Sequence, residues 1–571
     1  MSSMRTVQLK SYAPWLTVLA VLGIAAVVTF FRISVASNEL LWLDELHTSW
    51  VVGDGLGSVV SRAADGNQAP FFFWLTWFAV SFVEATEFSV RLVSLLAGIG
   101  VLVVASLLTW KWTRSAIASV VVAALVGLDV QFLYYATEAR PYCLVQFLGG
   151  IQVLCFWRFL NDFNFQFCLD HEGTKARSLR PHWGVVISSA LLFYTHYTSA
   201  WLFVAEVLFF AVAWFGGFKA TQTEWEAQTE RAAERRHFLT RASVSAGFLA
   251  LISIPIFLQM LEVFQRRGNW VGVSSIPQVA VEQAVPLASW VLFPLICLVI
   301  AALFRFKGFE VTSDGAGNGT LENGQLWKIP SLLSPKMVPF IFVILWAVVP
   351  TVCVVVMDCL ALAPMALTRY TLVGAMAFPV FAGLVIGNCK SNTGKLCLSV
   401  LVLAISVGQN PIAQNFAQNS ERPELRAEQW KLPVQEINLR EEKSDQPVFL
   451  FANLIEDVDA FKNDDPQFRE YLLFPVQGLY AIDVANRTLI PCPTMPTTHF
   501  LDQHVLQSQQ AGGAWVIVRS EPALVQEIAD EFRSRSERLL DGCSPVISVM
   551  DSNKPVTGGL QNPVYLLSID W

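Results

Sequence analysis

The chain has 571 residues, 54% of them hydrophobic and only 15% charged, with a net charge of −7. A soluble protein of this length carries more charge and lacks long apolar runs. Here such runs recur from Leu16 to Val407, which excludes a nucleic-acid binder and predicts a polytopic bundle of transmembrane helices.

The first apolar run begins near Tyr12, behind a short basic head containing Arg5 and Lys10. It is long and lacks a small-residue cleavage site, so it reads as a retained signal anchor. Further spans are predicted near 88–109, 116–136, 142–160, 184–198, 200–216, 243–261, 287–304, 337–357, 370–387 and 396–409, eleven with the first at 12–32. Pro70–Val83 is apolar too, but its length as a helix is only ~21 Å against a ~30 Å hydrocarbon core. It reads as a helix lying in the interface.

With an internal N-terminus, this arrangement puts 19 Lys+Arg in cytoplasmic segments and seven in the external loops before the tail. That is the expected positive-inside bias. The seven external cations are Arg32, Arg62, Arg91, Arg140, Arg266, Arg267 and Arg369, with no Lys among them. The planar fork of arginine suits bidentate phosphate contacts. Interfacial snorkelling of long side chains gives the same bias.

Composition changes near Gln409. Residues 1–409 form the predicted membrane domain, and residues 410–571 hold 13 Lys+Arg against 23 Asp+Glu. Short β-like runs at Pro447–Phe451 and Ala514–Val518, followed by a helical pattern at Pro522–Arg535, predict a small extracytoplasmic α/β domain. Of ten scattered cysteines only Cys492 and Cys543 fall in this tail, where an oxidising compartment would allow them to pair.

The residues able to carry chemistry cluster at external helix ends. The first external loop, 33–91, holds Asp44-Glu45, then Asp65, Gln68-Ala-Pro70 and Arg91. Adjacent carboxylates among Leu41, Trp42, Leu43 and Leu46 are costly beside a membrane unless used or paired. Either deprotonates an acceptor hydroxyl, binds a divalent metal, or caps a helix. A second cluster, Tyr134-Tyr-Ala-Thr-Glu138-Ala-Arg140-Pro-Tyr142, joins two spans and is denser in polar groups than a plain turn. His196, in Tyr194-Thr-His-Tyr197, and the pair Arg369-Tyr370 complete the set. There is no Walker loop, no GxGxxG after a strand and no HExxH, so a cytosolic nucleotide sugar has no obvious binding motif.

These residues, in this order, resemble the polytopic glycosyltransferases of the GT-C fold, in particular the group of protein O-mannosyltransferases, aminoarabinose transferases and bacterial family-39-like enzymes. The resemblance covers roughly residues 12–409. It rests on Asp44-Glu45, Gln68-Ala-Pro70 followed by aromatics, Arg91-Leu-Val-Ser94, Glu138-Ala-Arg-Pro-Tyr142 and Arg369-Tyr370.

It implies a sugar donor on polyprenyl phosphate and a lipid, glycan or protein acceptor at the outer face of the cell membrane. Asp44, Glu45 and Asp65 become catalytic candidates. Arg91, Glu138, Arg140, Tyr142, His196, Arg369, Tyr370 and Gln68 become donor-site candidates, with a divalent metal left open. The family often has His-Pro-Pro where this chain has Gln68-Ala69-Pro70, so any contact by that His is missing. The competing class is a lipid-linked-sugar transporter or flippase, against which stands the clustering of ionisable groups at helix ends rather than mid-span.

Overall fold

A computed structural model describes residues 2–162, 181–216, 225–266, 275–303, 337–409, 428–454, 466–483, 487–493, 498–551 and 563–571. The membrane part is helical throughout: α1 (Ser2–Asn38), α2 (Leu43–Gly53), α3 (Val59–Asp65), α4 (Phe71–Phe82), α5 (Leu92–Thr113), α6 (Ala116–Leu128), α7 (Val130–Ala136), α8 (Tyr142–Asp162), α9 (Trp183–Thr195), α10 (Ala200–Gly216), α11 (Trp225–Gln265), α12 (Ile276–Leu287), α13 (Phe293–Leu303), α14 (Val338–Cys359), α15 (Ala377–Gly387) and α16 (Asn392–Gly408). With no water in a bilayer core, only backbone that bonds to itself can cross, which is why these apolar runs are helices.

By length and composition, six helices of the described residues can cross a membrane, and a seventh if α6 and α7 count as one bent span. The expected spans at 184–198, 200–216, 370–387 and 396–409 are shorter helices than a full crossing needs. A tight 3₁₀ turn at Tyr197–Ser199 separates the first two, and another at Thr368–Tyr370 precedes the third. The expected span 116–136 is broken by 65° at Asp129. That carboxylate accepts from Phe132 N at 3.0 Å and so caps α7 as a separate helix. The expected span 287–304 begins earlier, because a π turn at Ala288–Leu292 links α12 to α13 just after Pro286. Pro70–Val83 forms α4, whose twelve residues reach only ~18 Å.

The tail carries α17 (Lys431–Leu439), α18 (Pro466–Tyr471), α19 (Thr498–Gln510) and α20 (Pro522–Leu539) around a five-stranded sheet. Its strands are β1 (Val448–Phe451), β2 (Leu489–Pro491), β3 (Gly513–Arg519), β4 (Val546–Asp551) and β5 (Val564–Asp570), in the order β2-β1-β3-β5-β4. β1, β2 and β3 run parallel, and β5 pairs antiparallel with β3 and β4. Residues of β1 and β3 alternate between two buried clusters. Phe449, Phe451, Val516 and Val518 join the tail's own core, and Val448, Leu450, Trp515 and Ile517 join the core continuous with the membrane helices. Cys492 is buried in the first of these, Cys543 is exposed, and both are free thiols, so the tail cysteines do not pair.

The sheet therefore docks on the helical part through its second face. At that contact Gly478 is obligatory by packing, since a Cβ there would lie 2.3 Å from Ser49 Oγ and 3.0 Å from Trp50 N. His47 is buried beside it, ringed by Trp50, Phe73, Tyr471 and Phe474 at centroid distances of 5.3–6.0 Å. Burial, and then the positive charge of Arg140, push its pKa down to about 3, although Asp44 pulls the other way.

Between about pH 6.5 and 3 the unfolded chain therefore takes a proton on His47 that the folded chain refuses, so stability falls as pH falls through that window. At pH 5 the penalty is ~2 kcal/mol. The thermal midpoint of the detergent-purified protein should drop between pH 7.5 and pH 5, and by clearly less in His47→Phe. Equal drops in the two proteins would contradict this account of His47.

Candidate active site

The site begins at α2. Trp42 occupies its N-cap and offers no side-chain cap, while Asp44 and Glu45 stand in its first turn. There they face the positive end of the helix dipole. Successive residues on a helix point about 100° apart, and the two carboxylates go to different places.

Glu45 points into the protein and is fully buried. It receives Arg91 Nε at 2.7 Å and Arg91 Nη2 at 2.5 Å, and also Ala139 N at 2.7 Å. The remaining donors of Arg91 go to the carbonyls of Ala36, Glu39 and Leu40 at 2.7–3.0 Å. This guanidinium has no exposed surface and is surrounded by acceptors. Glu45, expected as a catalytic residue, and Arg91, expected on a donor phosphate, direct their charges at each other and at the backbone.

Their role is to assemble the site. Glu45 at Ala139 N and Thr48 Oγ1, 2.6 Å from Ala139 O, hold the turn after α7. Ser94 of α5 holds the same turn through the carbonyl of Arg140 at 3.1 Å.

Asp44 points the other way and keeps 26% of its side-chain surface exposed. Its Oδ2 lies 3.2 Å from Arg369 Nη1 and 3.7 Å from Arg140 Nη2. Arg140 Nη1 also donates to the Asp44 carbonyl at 3.2 Å. The Nε atoms of both arginines are buried without a hydrogen-bond partner. A buried unpaired donor costs free energy, and two of them flanking one carboxylate mark a place built to take further acceptors. Burial alone would raise the Asp44 pKa, but the charges of Arg140 and Arg369 outweigh it and hold the carboxyl below its ordinary range. Burial works against the charged form of Arg140 too, yet Asp44, Tyr142 and Glu138 keep it firmly charged.

Rings floor this cluster. Arg140 stands over Tyr142 at 5.9 Å and Arg369 over Tyr370 at 5.4 Å. His196 lies between the two tyrosines, 5.7 Å from each. Its Nδ1 accepts from Thr198 N at 3.3 Å and contacts Thr198 Oγ1 at 2.9 Å, which places its proton on Nε2. Burial, then Arg140 and Arg369, push the His196 pKa down to about 3, so the imidazole is neutral. Glu138 is buried in the same turn. Across the site, the segment bearing Arg369 is held by α12, where Glu282 accepts from Thr368 Oγ1 and Gln283 donates to Thr371 Oγ1 at 3.0 Å.

Asp65 ends α3, and Gln68 lies in the turn between α3 and α4. There Gln259 of α11 donates to the Gln68 carbonyl at 3.1 Å and Arg266 to the Ala64 carbonyl at 3.1 Å. Arg62 is used at the tail contact, against Asp54, Glu470 and the Trp50 ring. Arg32 is buried in α1 against the Val126 carbonyl, and Arg267 lies outside the described residues. Among the external cations, the phosphate expectation narrows to Arg140 and Arg369.

Among the described residues no three His, Cys, Asp or Glu side chains gather to hold a metal ion. Asp44 already faces two guanidiniums, so the described residues around it do not fit a divalent cation. Glu428 and Arg519, two tail residues with no distinguishing motif around them, also reach this loop; Glu428 accepts from Leu43 N at the start of α2.

Fold and site together define a multi-pass membrane protein with a carboxylate–arginine centre at the end of the helical bundle that carries the tail. No protein-family model matches the chain, and no curated protein does. Among solved structures it is similar to ArnT from Cupriavidus metallidurans in the apo state, with TM-score 0.48 and 11% identity, covering 98% of each chain. It is also similar to the same protein bound to undecaprenyl phosphate, with TM-score 0.42, 11% identity and 96% and 97% covered. A third is the archaeal oligosaccharyltransferase AglB from Archaeoglobus fulgidus, in complex with an inhibitory peptide and a dolichol-phosphate. There the TM-score is 0.46 and the identity 13%, with 92% of this chain and 71% of that one covered.

Removing one partner of a buried ion pair leaves an uncompensated charge and costs ~3–5 kcal/mol. Glu45→Gln and Arg91→Ala should each lower the thermal midpoint sharply or abolish monodisperse protein after detergent extraction. Asp44→Asn should purify like the wild type. An Arg91→Ala protein with the wild-type midpoint would contradict the structural assignment.

Proposed function

We propose that the protein is a membrane glycosyltransferase that moves a sugar from a polyprenyl-phosphate donor to a lipid, glycan or protein acceptor at the outer face of the cell membrane. The observation that carries this is the pair of guanidiniums, the buried Arg140 and the half-buried Arg369, each with a buried and unpartnered Nε, set on either side of the half-buried Asp44. A phosphate diester bound there receives charge-assisted hydrogen bonds from both forks.

In the reaction the acceptor hydroxyl oxygen bonds to the anomeric carbon as the bond from that carbon to the phosphate oxygen breaks. The electron pair leaves on the phosphate. Arg140 and Arg369 stabilise the charge that develops there, and Asp44 takes the hydroxyl proton. The neutral His196 and the rings of Tyr142 and Tyr370 supply a wall for the sugar.

The depressed pKa of Asp44 makes it a poor base while both arginines face it. An arriving phosphate engages those arginines, weakens their hold on the carboxylate and raises its basicity. Base strength is thereby linked to donor occupancy, which disfavours proton abstraction before the leaving group is bound. The mechanism needs the N-terminus inside and the tail outside, as the distribution of lysine and arginine favours.

Asp44→Asn keeps the shape and removes the proton-accepting charge. Turnover, read as transfer from a panel of radiolabelled polyprenyl-phosphate pentoses and hexoses into cell-envelope extract, should fall ~10²–10⁴-fold. Undecaprenyl phosphate should bind at least as tightly as to the wild type, since a competitor for the arginines is gone. Near-normal turnover would remove Asp44 as the base.

Arg140→Ala and Arg369→Ala should each lose ~1.5–3 kcal/mol of binding to the same lipid, roughly tenfold or more in affinity. Arg140→Lys should also bind less well, because a point charge does not replace the fork. Full affinity in both alanine variants would defeat the phosphate assignment. For sidedness, the exposed Cys543 should react with an impermeant maleimide applied to intact cells; labelling only after permeabilisation would reverse the topology.

A further inference from the structure

The helix that presents Asp44 does not complete its own N-terminus. Trp42 has no side-chain acceptor to offer, and Glu45, although it reaches Trp42 N at 3.4 Å, is committed to Arg91. The backbone N–H of Leu43, the first residue of α2, is instead bonded at 2.9 Å by Glu428 Oε2, from a residue 385 positions away in the tail.

Glu428 is fully buried and fully occupied. Its Oε2 also accepts from Trp430 Nε1 at 3.0 Å, and its Oε1 receives Arg519 Nε at 2.9 Å and Nη2 at 2.8 Å. Arg519 is the last residue of β3, the central strand of the tail sheet, at the carboxyl end of its parallel pairing with β1. A rigid path therefore runs from the sheet through Arg519 and Glu428 to the amide one residue before Asp44.

Two more ties fix the same segment from the tail. Tyr480 Oη accepts from Leu41 N at 3.0 Å and donates to Glu87 at 3.1 Å, and Leu479 N donates to Ser49 Oγ at 3.1 Å. None of these hydrogen bonds uses the side chain of Asp44, Arg140 or Arg369, although the charge of Arg519 also acts on the Asp44 carboxylate.

We propose that Glu428, locked by Arg519, is a positioning residue: the tail domain serves as the N-terminal cap of α2 and sets the direction in which Asp44 faces the acceptor. Its catalytic consequence rests on the reading of Asp44 as the base, whereas the cap itself does not. Free helix starts fray, and a cap acceptor restrains the first turn. A carboxylate that wanders by an ångström loses proton-transfer efficiency without weakening a phosphate held by Arg140 and Arg369.

The test uses the full-length protein with Glu428→Gln, Arg519→Ala and the charge-preserving Arg519→Lys. Amide exchange over Leu41–Leu46 should accelerate roughly tenfold in Glu428→Gln and Arg519→Ala, and by much less in Arg519→Lys. At saturating donor, turnover on the polyprenyl-phosphate sugar panel should fall roughly tenfold in the first two and recover largely in Arg519→Lys. The Kd for undecaprenyl phosphate should stay within about twofold of the wild type throughout.

Exchange unchanged from the wild type would overturn the cap. Accelerated exchange with unaltered turnover would overturn the positioning role, and a loss of undecaprenyl phosphate binding equal to the loss of turnover would mean a general collapse of the site instead. If the wild type itself transfers no sugar from any member of the panel, the proposed function fails, and the exchange data still decide whether the tail caps α2.

Discussion

Everything near the site depends on the buried ion pair between Glu45 and Arg91. Two charges with no solvent exposure are tolerated only when their hydrogen-bonding capacity is met, and here it is met by backbone from two separated stretches. Carbonyls of residues 36, 39 and 40 surround the guanidinium, and Ala139 N reaches the carboxylate. A pair of this kind is weak evidence for stability, but it fixes register. With α2, the start of α5 and the 138–142 turn tied to one point, Asp44 and Arg140 become neighbours although 96 residues separate them.

The contrast between Arg91 and the pair Arg140 and Arg369 divides architecture from chemistry. Arg91 is surrounded by acceptors and has no surface left. Arg140 and Arg369 share one carboxylate oxygen between them and keep buried donors unused. Type and sidedness are common to all three residues, so their partners alone tell them apart. The same contrast would let a carboxylate with a lowered pKa serve as the proposed base: its present partners are also the groups that a phosphate would recruit.

Much of this was legible in the sequence, in uneven measure. Apolar runs located the helices, and strand-like runs located β1 and β3, because burial in lipid or in a parallel sheet leaves a strong compositional mark. Asp44, Arg140, Tyr142, His196, Arg369 and Tyr370 were individually conspicuous as polar or ring residues at helix ends, and the structure brings them to one place.

What the sequence hid was direction. Asp44 and Glu45 are adjacent letters whose side chains part by a third of a turn, so one faces the site and the other the core. Asp129 inside an apolar run was a visible hint that the span 116–136 is broken. The 3₁₀ turns beside α9, α10 and α15 left no such mark. Glu428 and Arg519 belong to a polar, acidic tail in which neither stands out; their importance arises only from a contact across the whole chain.

In the proposed mechanism, donor phosphate and Asp44 compete for the same two arginines. Isotope-edited infrared spectroscopy of aspartate carboxyls, taken as the wild-type minus Asp44→Asn difference, reads the titration of Asp44 directly. Saturating undecaprenyl phosphate should shift this titration upward in pH, and the shift should be lost in Arg140→Ala with Arg369→Ala. A titration unmoved by the bound lipid, in a protein shown to bind it, would contradict the claim.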